Sequence, residues 1–196
     1  WEAYVQKNIF APLGLTRSYF NGTPYYLAAD RSNNYTIRRL PGDAGGDTLI
    51  ANGRDFNPGI TIPNGGWNAP LADLATYATF LTGVARDDST RARHNVVLSR
   101  ASLQEMWKPV YPMSTTAVNP DSMALSFFVV HRDGATILGH TGSQAGFRSF
   151  LFFNPSTTSV VIAAFNTTNA AGGGGPTSPG RTSYARMYEA ALSLLR

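Results

Sequence analysis

The side chains best placed to do chemistry lie together in LGHTGSQAGF, residues 138–147. His140, Thr141 and Ser143 alternate there with Gly142 and Gly146, where one apolar run stops and another starts. Two readings of these residues stand side by side. One is a strand edge that forms part of a catalytic site, with an imidazole whose charge responds to pH. The other is a hairpin connection in which Gly142 and Gly146 supply unusual backbone angles. Other chemistries are argued against by pattern. No G-x-S-x-G and no G-x-x-x-x-G-K-[ST] occurs, which removes the hydrolase nucleophile elbow and the phosphate loop. His94, His131 and His140 show no H-E-x-x-H or H-x-H spacing, so no metal site is expected. Cysteine is absent, and disulfides, thiolate ligands and a cysteine nucleophile go with it. Carboxylates are few, and none stands in a suggestive strand-end context.

The elements that must carry this stretch follow from periodicity. ALSFFVVH, ATILGH, FRSFLFF and SVVIAAF read as successive antiparallel strands over 124–165, with Asp133-Gly134 as a tight hairpin turn. Leu151 and Phe153 alternate with Phe150 and Phe152, so large apolar groups leave both faces and helices are expected on both sides of the sheet. A helix over 70–83 follows from Leu71, Leu74, Tyr77, Ala78 and Leu81, and a shorter one spans about Arg100 to Trp107 before Pro109. Tyr184, Met187, Tyr188, Ala191, Leu192 and Leu195 mark a terminal helix over 182–196, reached through the glycine-rich loop AAGGGGPTSPG. Residues 20–66 show no sustained period and read as a long loop region, either a functional loop or an excursion over the surface. Residues 1–15 read as a helix closing at Pro12-Leu13-Gly14; neither a capping residue nor an initiator Met precedes it, so it is expected to be the remnant of a longer chain.

Composition sets the outer bounds. At 196 residues with 43% hydrophobic and 14% charged side chains, the chain can bury one sizeable core. No run reaches the roughly 18 apolar residues of a membrane span, and no signal-peptide pattern opens the sequence. The net charge of +4 comes from scattered arginines, with no run longer than Arg38-Arg39, so neither a nucleic-acid nor a membrane partner is expected. Sequons at Asn21, Asn34 and Asn166 lean toward a secreted or extracytosolic location, which is otherwise unknown.

Three stretches, in order, resemble one family. GHTGSQAGFRSFLFFNP leading to VVIAAFN is similar to the third motif of the serine β-lactamase and penicillin-binding-protein superfamily, in the branch of class C β-lactamases, D-stereospecific peptidases and related esterases. WEAYVQKNIFAPLGLTRSYF resembles the helix and Pro-Leu-Gly turn after that family's second motif, and NGGWNAPLADLATYATFLTG its Gly-Gly segment and Asp-Leu helix. One local departure is Ala69-Pro70 where the family usually places a Ser or Thr cap, a change worth about 1 kcal/mol of helix stability.

The resemblance implies an α/β (α+β) sandwich of the β-lactamase/transpeptidase type, a central antiparallel sheet flanked by helices, represented here by its C-terminal portion. It implies a serine hydrolase acting on a small-molecule ester, amide or β-lactam through an acyl-serine, without cofactor. His140 would face the cleft, and the backbone N–H of Ser143 would form half of the oxyanion hole. Thr141, Gly142 and Asn166 would contact substrate, although a glycan on the Asn166 sequon would exclude it from a cleft. The family's nucleophile belongs to a Ser-x-x-Lys motif assisted by Tyr-x-Asn. Here Tyr4 precedes Lys7 and Glu105 precedes Lys108 by three residues, so the nucleophile is expected on an N-terminal segment of the same polypeptide and this chain alone is expected to be inactive. An acyltransferase on the same fold and a non-catalytic binding module derived from it are the alternatives.

Overall fold

The computed structural model describes residues 1–38, 48–53, 57–113, 120–144, 146–169 and 179–196. The glycine run of the AAGGGGPTSPG loop lies outside them, as do Ala145 and two parts of the 20–66 region. Helices are α1 (Glu2–Val5), α2 (Ala11–Leu13), α3 (Ile62–Gly65), α4 (Leu71–Thr82), α5 (Asp88–Val97), α6 (Arg100–Met106) and α7 (Pro179–Leu194). A π-helical stretch, Gln6–Phe10, joins α1 to α2. Strands are β1 (Asn34–Arg38), β2 (Thr48–Gly53), β3 (Tyr111–Pro112), β4 (Ser122–Met123), β5 (Phe128–Arg132), β6 (Ala135–Gln144), β7 (Phe147–Phe153), β8 (Val160–Phe165) and β9 (Thr167–Asn169).

Strands β3 to β8 form one antiparallel sheet in sequence order. The turn between β5 and β6 is two residues long because Asp133 and Gly134 both accept positive φ, 49° and 81°. Alternation along β7 then divides the core in two. Phe153 joins Val129 and Leu138 on one face, beneath Val5, Phe10 and Leu13 of the N-terminal helical run, Phe80 and Leu81 of α4 and Leu103 of α6. Phe150 and Phe152 join Val130 and Ile137 on the other, beneath Tyr188, Ala191, Leu192 and Leu195 of the terminal helix. A mixed sandwich with helices on both faces of an antiparallel sheet is therefore what the chain adopts, as the alternating large apolar groups require.

Two buried polar side chains fasten the helices to neighbouring turns. Asp73, in the first turn of α4, accepts hydrogen bonds from the Arg17 backbone N–H (3.0 Å) and the Ser18 hydroxyl (2.9 Å), which ties the segment after α2 to α4. Helix α4 has no side-chain cap, its N-cap being Pro70 in an extended conformation. Asn154 donates to the Leu195 carbonyl (2.8 Å) and accepts from the Ser156 and Thr157 N–H groups (2.8 and 3.2 Å), which shapes the turn between β7 and β8 and anchors the end of the chain.

The region read as an irregular loop contains more order than periodicity indicates. Strands β1 and β2 pair antiparallel, and β1 pairs parallel with β9, giving a second sheet of order β2-β1-β9. These strands are short, and one of their partners lies far away in sequence, so no local pattern marks them. Helix α5 was equally silent: it buries no residue and has no apolar stripe, but Asp87 caps it by accepting from the Thr90 N–H at 2.6 Å.

Candidate active-site edge

Strand β6 is ten residues long, yet β5 pairs only with its first half, Ala135 to Gly139. From His140 to Gln144 the strand is held by β7 alone, through Leu151 to Phe147. Its other edge continues past the end of β5, and the first four of the five residues along it, His140 to Ser143, are those singled out by their chemistry. Gly139, where the one-sided stretch begins, is required by close approach: a Cβ there would stand 2.2 Å from the Leu151 carbonyl oxygen and 2.7 Å from the Phe152 Cα. Gly146, beyond the stretch, takes φ 86° where the chain bends into β7. Gly142 has no positive φ; it is a strand residue opposite Ser149, not a turn glycine.

His140 is exposed and its ring is fixed from two sides. It lies nearly parallel to Phe128, with centroids 4.2 Å apart and an interplanar angle of 16°. Its Nδ1 stands 2.6 Å from the Thr141 carbonyl oxygen. A carbonyl only accepts, so Nδ1 carries the proton, and the neutral ring keeps its lone pair on Nε2. Among the described residues no cluster of three His, Cys, Asp or Glu side chains could hold a metal ion.

Alternation places the next side chains in turn. Thr141 is half-buried and stands opposite Phe150, whose ring meets that of Tyr184 in α7 at 5.9 Å between centroids. Gly142 is exposed; a Cβ there would meet only the Ser149 hydroxyl, at 3.0 Å. Ser143 is exposed and pairs with Arg148, whose guanidinium lies 4.9 Å from the centroid of the Tyr184 ring. Burial raises the Tyr184 pKa, and the Arg148 charge and the Thr141 hydrogen bond oppose that rise. Its neighbour Tyr188 is pushed up to about 12 by burial first, and then by the charge of Glu189. At the end of the edge, Gln144 lies against α3, where a Cβ on Gly65 would approach its Nε2 to 2.4 Å.

Asn166 sits apart from this group. It is the single residue between β8 and β9, and so the crossing point from the large sheet to the small one. Its amide donates to the Asn33 carbonyl (3.0 Å) and the Ser32 hydroxyl (3.3 Å), and its own carbonyl accepts from the Tyr35 N–H (2.8 Å). The preceding Phe165 faces Arg148, which faces Ser143, so Asn166 stands two strands from β6, about 10 Å across the sheet. Of the other sequon asparagines, Asn34 is buried, and half-buried Asn21 donates to the Glu2 carboxylate. Of the neighbours that complete the edge, Gly65 belongs to the Gly-Gly segment noted in the sequence, while Phe128, Arg148 and Tyr184 carry no site signal of their own, because each meets β6 through tertiary structure.

An antiparallel sheet between two helical layers is a fold this chain shares with solved structures. A D-amino acid amidase from Ochrobactrum anthropi SV3 superposes with a TM-score of 0.68 at 17% identity, over 100% of this chain and 53% of that one. A class C beta-lactamase from Rhodobacter sphaeroides gives 0.62 at 14% identity, over 100% and 54%. A penicillin-binding protein from Bacillus halodurans gives 0.60 at 17% identity, over 100% and 49%. The chain thus spans about half the length of these solved relatives. No curated protein matches it by sequence. The beta-lactamase family model matches residues 1–182, and the chain belongs to that family.

Proposed function

We propose that this chain is the substrate-facing half of a serine hydrolase that works through an acyl-serine. The observation that carries the reading is the one-sided stretch of β6: five residues with one strand partner, opened by an exposed histidine whose Nδ1 meets the Thr141 carbonyl. A serine supplied by an N-terminal segment attacks the carbonyl carbon of an ester, amide or β-lactam. The negative charge that develops on oxygen is met by the Ser143 N–H and by the N–H of the attacking serine; one such donor is worth about 3–4 kcal/mol in the transition state. The C–O or C–N bond then breaks and the leaving atom takes the proton given up by the serine, staying tethered in an opened β-lactam; water adds to the acyl-serine, releasing the acid and returning a proton to the serine oxygen. His140 lies beside the reacting atoms as a proton carrier or a hydrogen-bond partner for substrate. Gly142 lets the acyl chain lie close to the strand, since no side chain projects there.

The test is mass spectrometry of the purified protein after exposure to a fluorophosphonate probe. The expected result is one labelled serine, outside residues 1–196 and three residues before a lysine. A label on a serine of this chain would refute the division of labour. An unlabelled protein whose N-terminal segment lacks Ser-x-x-Lys would instead make the chain a binding module.

A further inference from the structure

Strand β7 holds a cation behind the exposed end of β6. Arg148 is half-buried, and its guanidinium lies 4.9 Å from the centroid of the Tyr184 ring in α7. That ring is itself confined by Phe165 (5.5 Å between centroids) and Phe150 (5.9 Å). A cation–π contact consumes none of the guanidinium N–H donors. Arg132 and Arg196 are paired with carboxylates, Asp121 at 4.0 Å and Asp133 at 2.5 Å, whereas among the described residues Arg148 has no ion-pair partner. The sheet sets this cation beside the candidate site. Arg148 stands opposite Ser143, and opposite residues of an antiparallel pair project on the same face. Ser143 is exposed, so its hydroxyl and the guanidinium share the α7 side of the ladder. His140, opposite Leu151, projects on the other side, where the N-terminal helices pack. Partial burial removes some of the water that would screen the Arg148 charge, and the net charge of +4 adds a long-range pull on anions.

We infer that Arg148 is a specificity-determining residue: with the Ser143 hydroxyl beside it, it receives a carboxylate carried at the end of the substrate's acyl chain. This rests on the hydrolase reading above, in which the Ser143 N–H meets the carbonyl oxygen. The acyl carbonyl then lies at Ser143, one strand spacing of about 4.8 Å from β7. A chain of about four methylenes, roughly 5 Å long, carries its terminal carboxylate across that spacing on the α7 face. A guanidinium meets a carboxylate through two parallel N–H···O bonds, and the Tyr184 ring restricts where this one can move. A methyl ester in place of the carboxylate loses the charge and one of the two acceptor oxygens that such pairing needs.

The experiment compares p-nitrophenyl hydrogen adipate with p-nitrophenyl methyl adipate in the full-length protein, two esters of the same chain with and without the charge. The unaltered protein is expected to turn over the acid with a kcat/KM about tenfold above that of the methyl ester. Arg148→Gln is expected to lower kcat/KM for the acid about tenfold, mainly through KM, and for the methyl ester by less, so that the ratio approaches one. Arg148→Lys, which keeps the charge without the paired N–H bonds, should restore part of the ratio. Urea unfolding of the three proteins is followed in parallel. A role in packing alone would lower stability and the turnover of both esters while leaving their ratio in place, and that result overturns the inference. An unaltered protein that prefers the methyl ester overturns it as well. If the unaltered protein turns over neither ester, the hydrolase reading has failed, and saturation-transfer NMR with monomethyl adipate decides the anion site separately. Binding that Arg148→Gln abolishes supports the site; no binding, or binding that survives the substitution, overturns it.

Discussion

Replacing the two glycines of β6 by alanine should have unequal effects, although both lie in the same strand with β7 as a neighbour. At Gly139 the new methyl would stand 2.2 Å from the Leu151 carbonyl oxygen, 2.5 Å from Phe152 Cδ1 and 2.7 Å from Phe152 Cα. A comfortable carbon-to-oxygen approach is about 3.3 Å, so β6 and β7 must part by about 1 Å. Two of the three obstacles are backbone atoms, so no side-chain rotation relieves them. Gly139→Ala is therefore expected to cost at least 2–3 kcal/mol, roughly the upper part of the range for overpacking. At Gly142 the only obstacle among the described residues is the Ser149 hydroxyl at 3.0 Å, which can turn away. Strand alanine also gains about 0.5–1 kcal/mol over glycine in backbone entropy, so Gly142→Ala should fall within about 1 kcal/mol of the parent. Urea unfolding of the three proteins measures both numbers. The displacement at 139 also reaches His140 directly, and a misplacement of about 1 Å at a reacting group can lower turnover on the order of a hundredfold. Equal stability losses for the two variants, or a larger loss at Gly142, would refute the close-approach argument.

Asp73→Ala should destabilise the protein by about 2–4 kcal/mol, because it leaves the buried Ser18 hydroxyl and the Arg17 N–H without their acceptor; Asp73→Asn, which keeps one oxygen, should lose less in the same unfolding assay. His94, whose ring meets the edge of Phe80 at 5.6 Å, has its pKa lowered by burial and then by Arg93. Its folded-state pKa lies below the unfolded value of about 6.5, so on acidification the unfolded chain takes up the proton first. The contribution is present above that pH and is lost as pH falls through it, so His94→Leu should unfold with a shallower loss of stability between about pH 7 and pH 5 than the parent.

What could be read in the sequence is what a local period encodes. Strands β5 to β8 are visible because large apolar groups alternate through Phe150, Leu151, Phe152 and Phe153, and the β5–β6 turn because Asp133-Gly134 suits a two-residue hairpin. Helices α4 and α7 are visible from their stripes. Strands β1 and β9 are not, since Tyr35 and Thr167 meet only once the chain has folded. At the candidate site the same division holds. The run from His140 to Ser143 stands out as residue types, whereas Phe128, on which the imidazole stacks, looks like an ordinary core aromatic in sequence. Asn166 shows the converse. A motif position singled it out, and the structure gives its amide to Ser32 and Asn33, at the joint between the two sheets.

The composition of the β6 edge and its exposure are one physical fact. A strand that outruns its neighbour presents backbone donors and acceptors on its bare side, and proteins usually blunt such an edge with charge, proline or a bulge. Here no Asp, Glu, Lys or Arg, no proline and no large aliphatic side chain occurs from His140 to Gln144, while the partner strand β7 carries Phe147, Phe150, Leu151, Phe152 and Phe153. Small and polar residues make the edge unattractive to hydrophobic association, and they leave its backbone within reach of an extended molecule. The His140 ring is turned onto the Thr141 carbonyl of its own strand, which occupies one acceptor that an incoming chain would otherwise meet. A ligand that pairs with this edge must therefore either displace the imidazole from that carbonyl or bind past it. In the second case Nε2 is presented to the ligand at a fixed angle, because Phe128 and the Thr141 carbonyl together fix the ring's plane and its rotation about Cβ–Cγ.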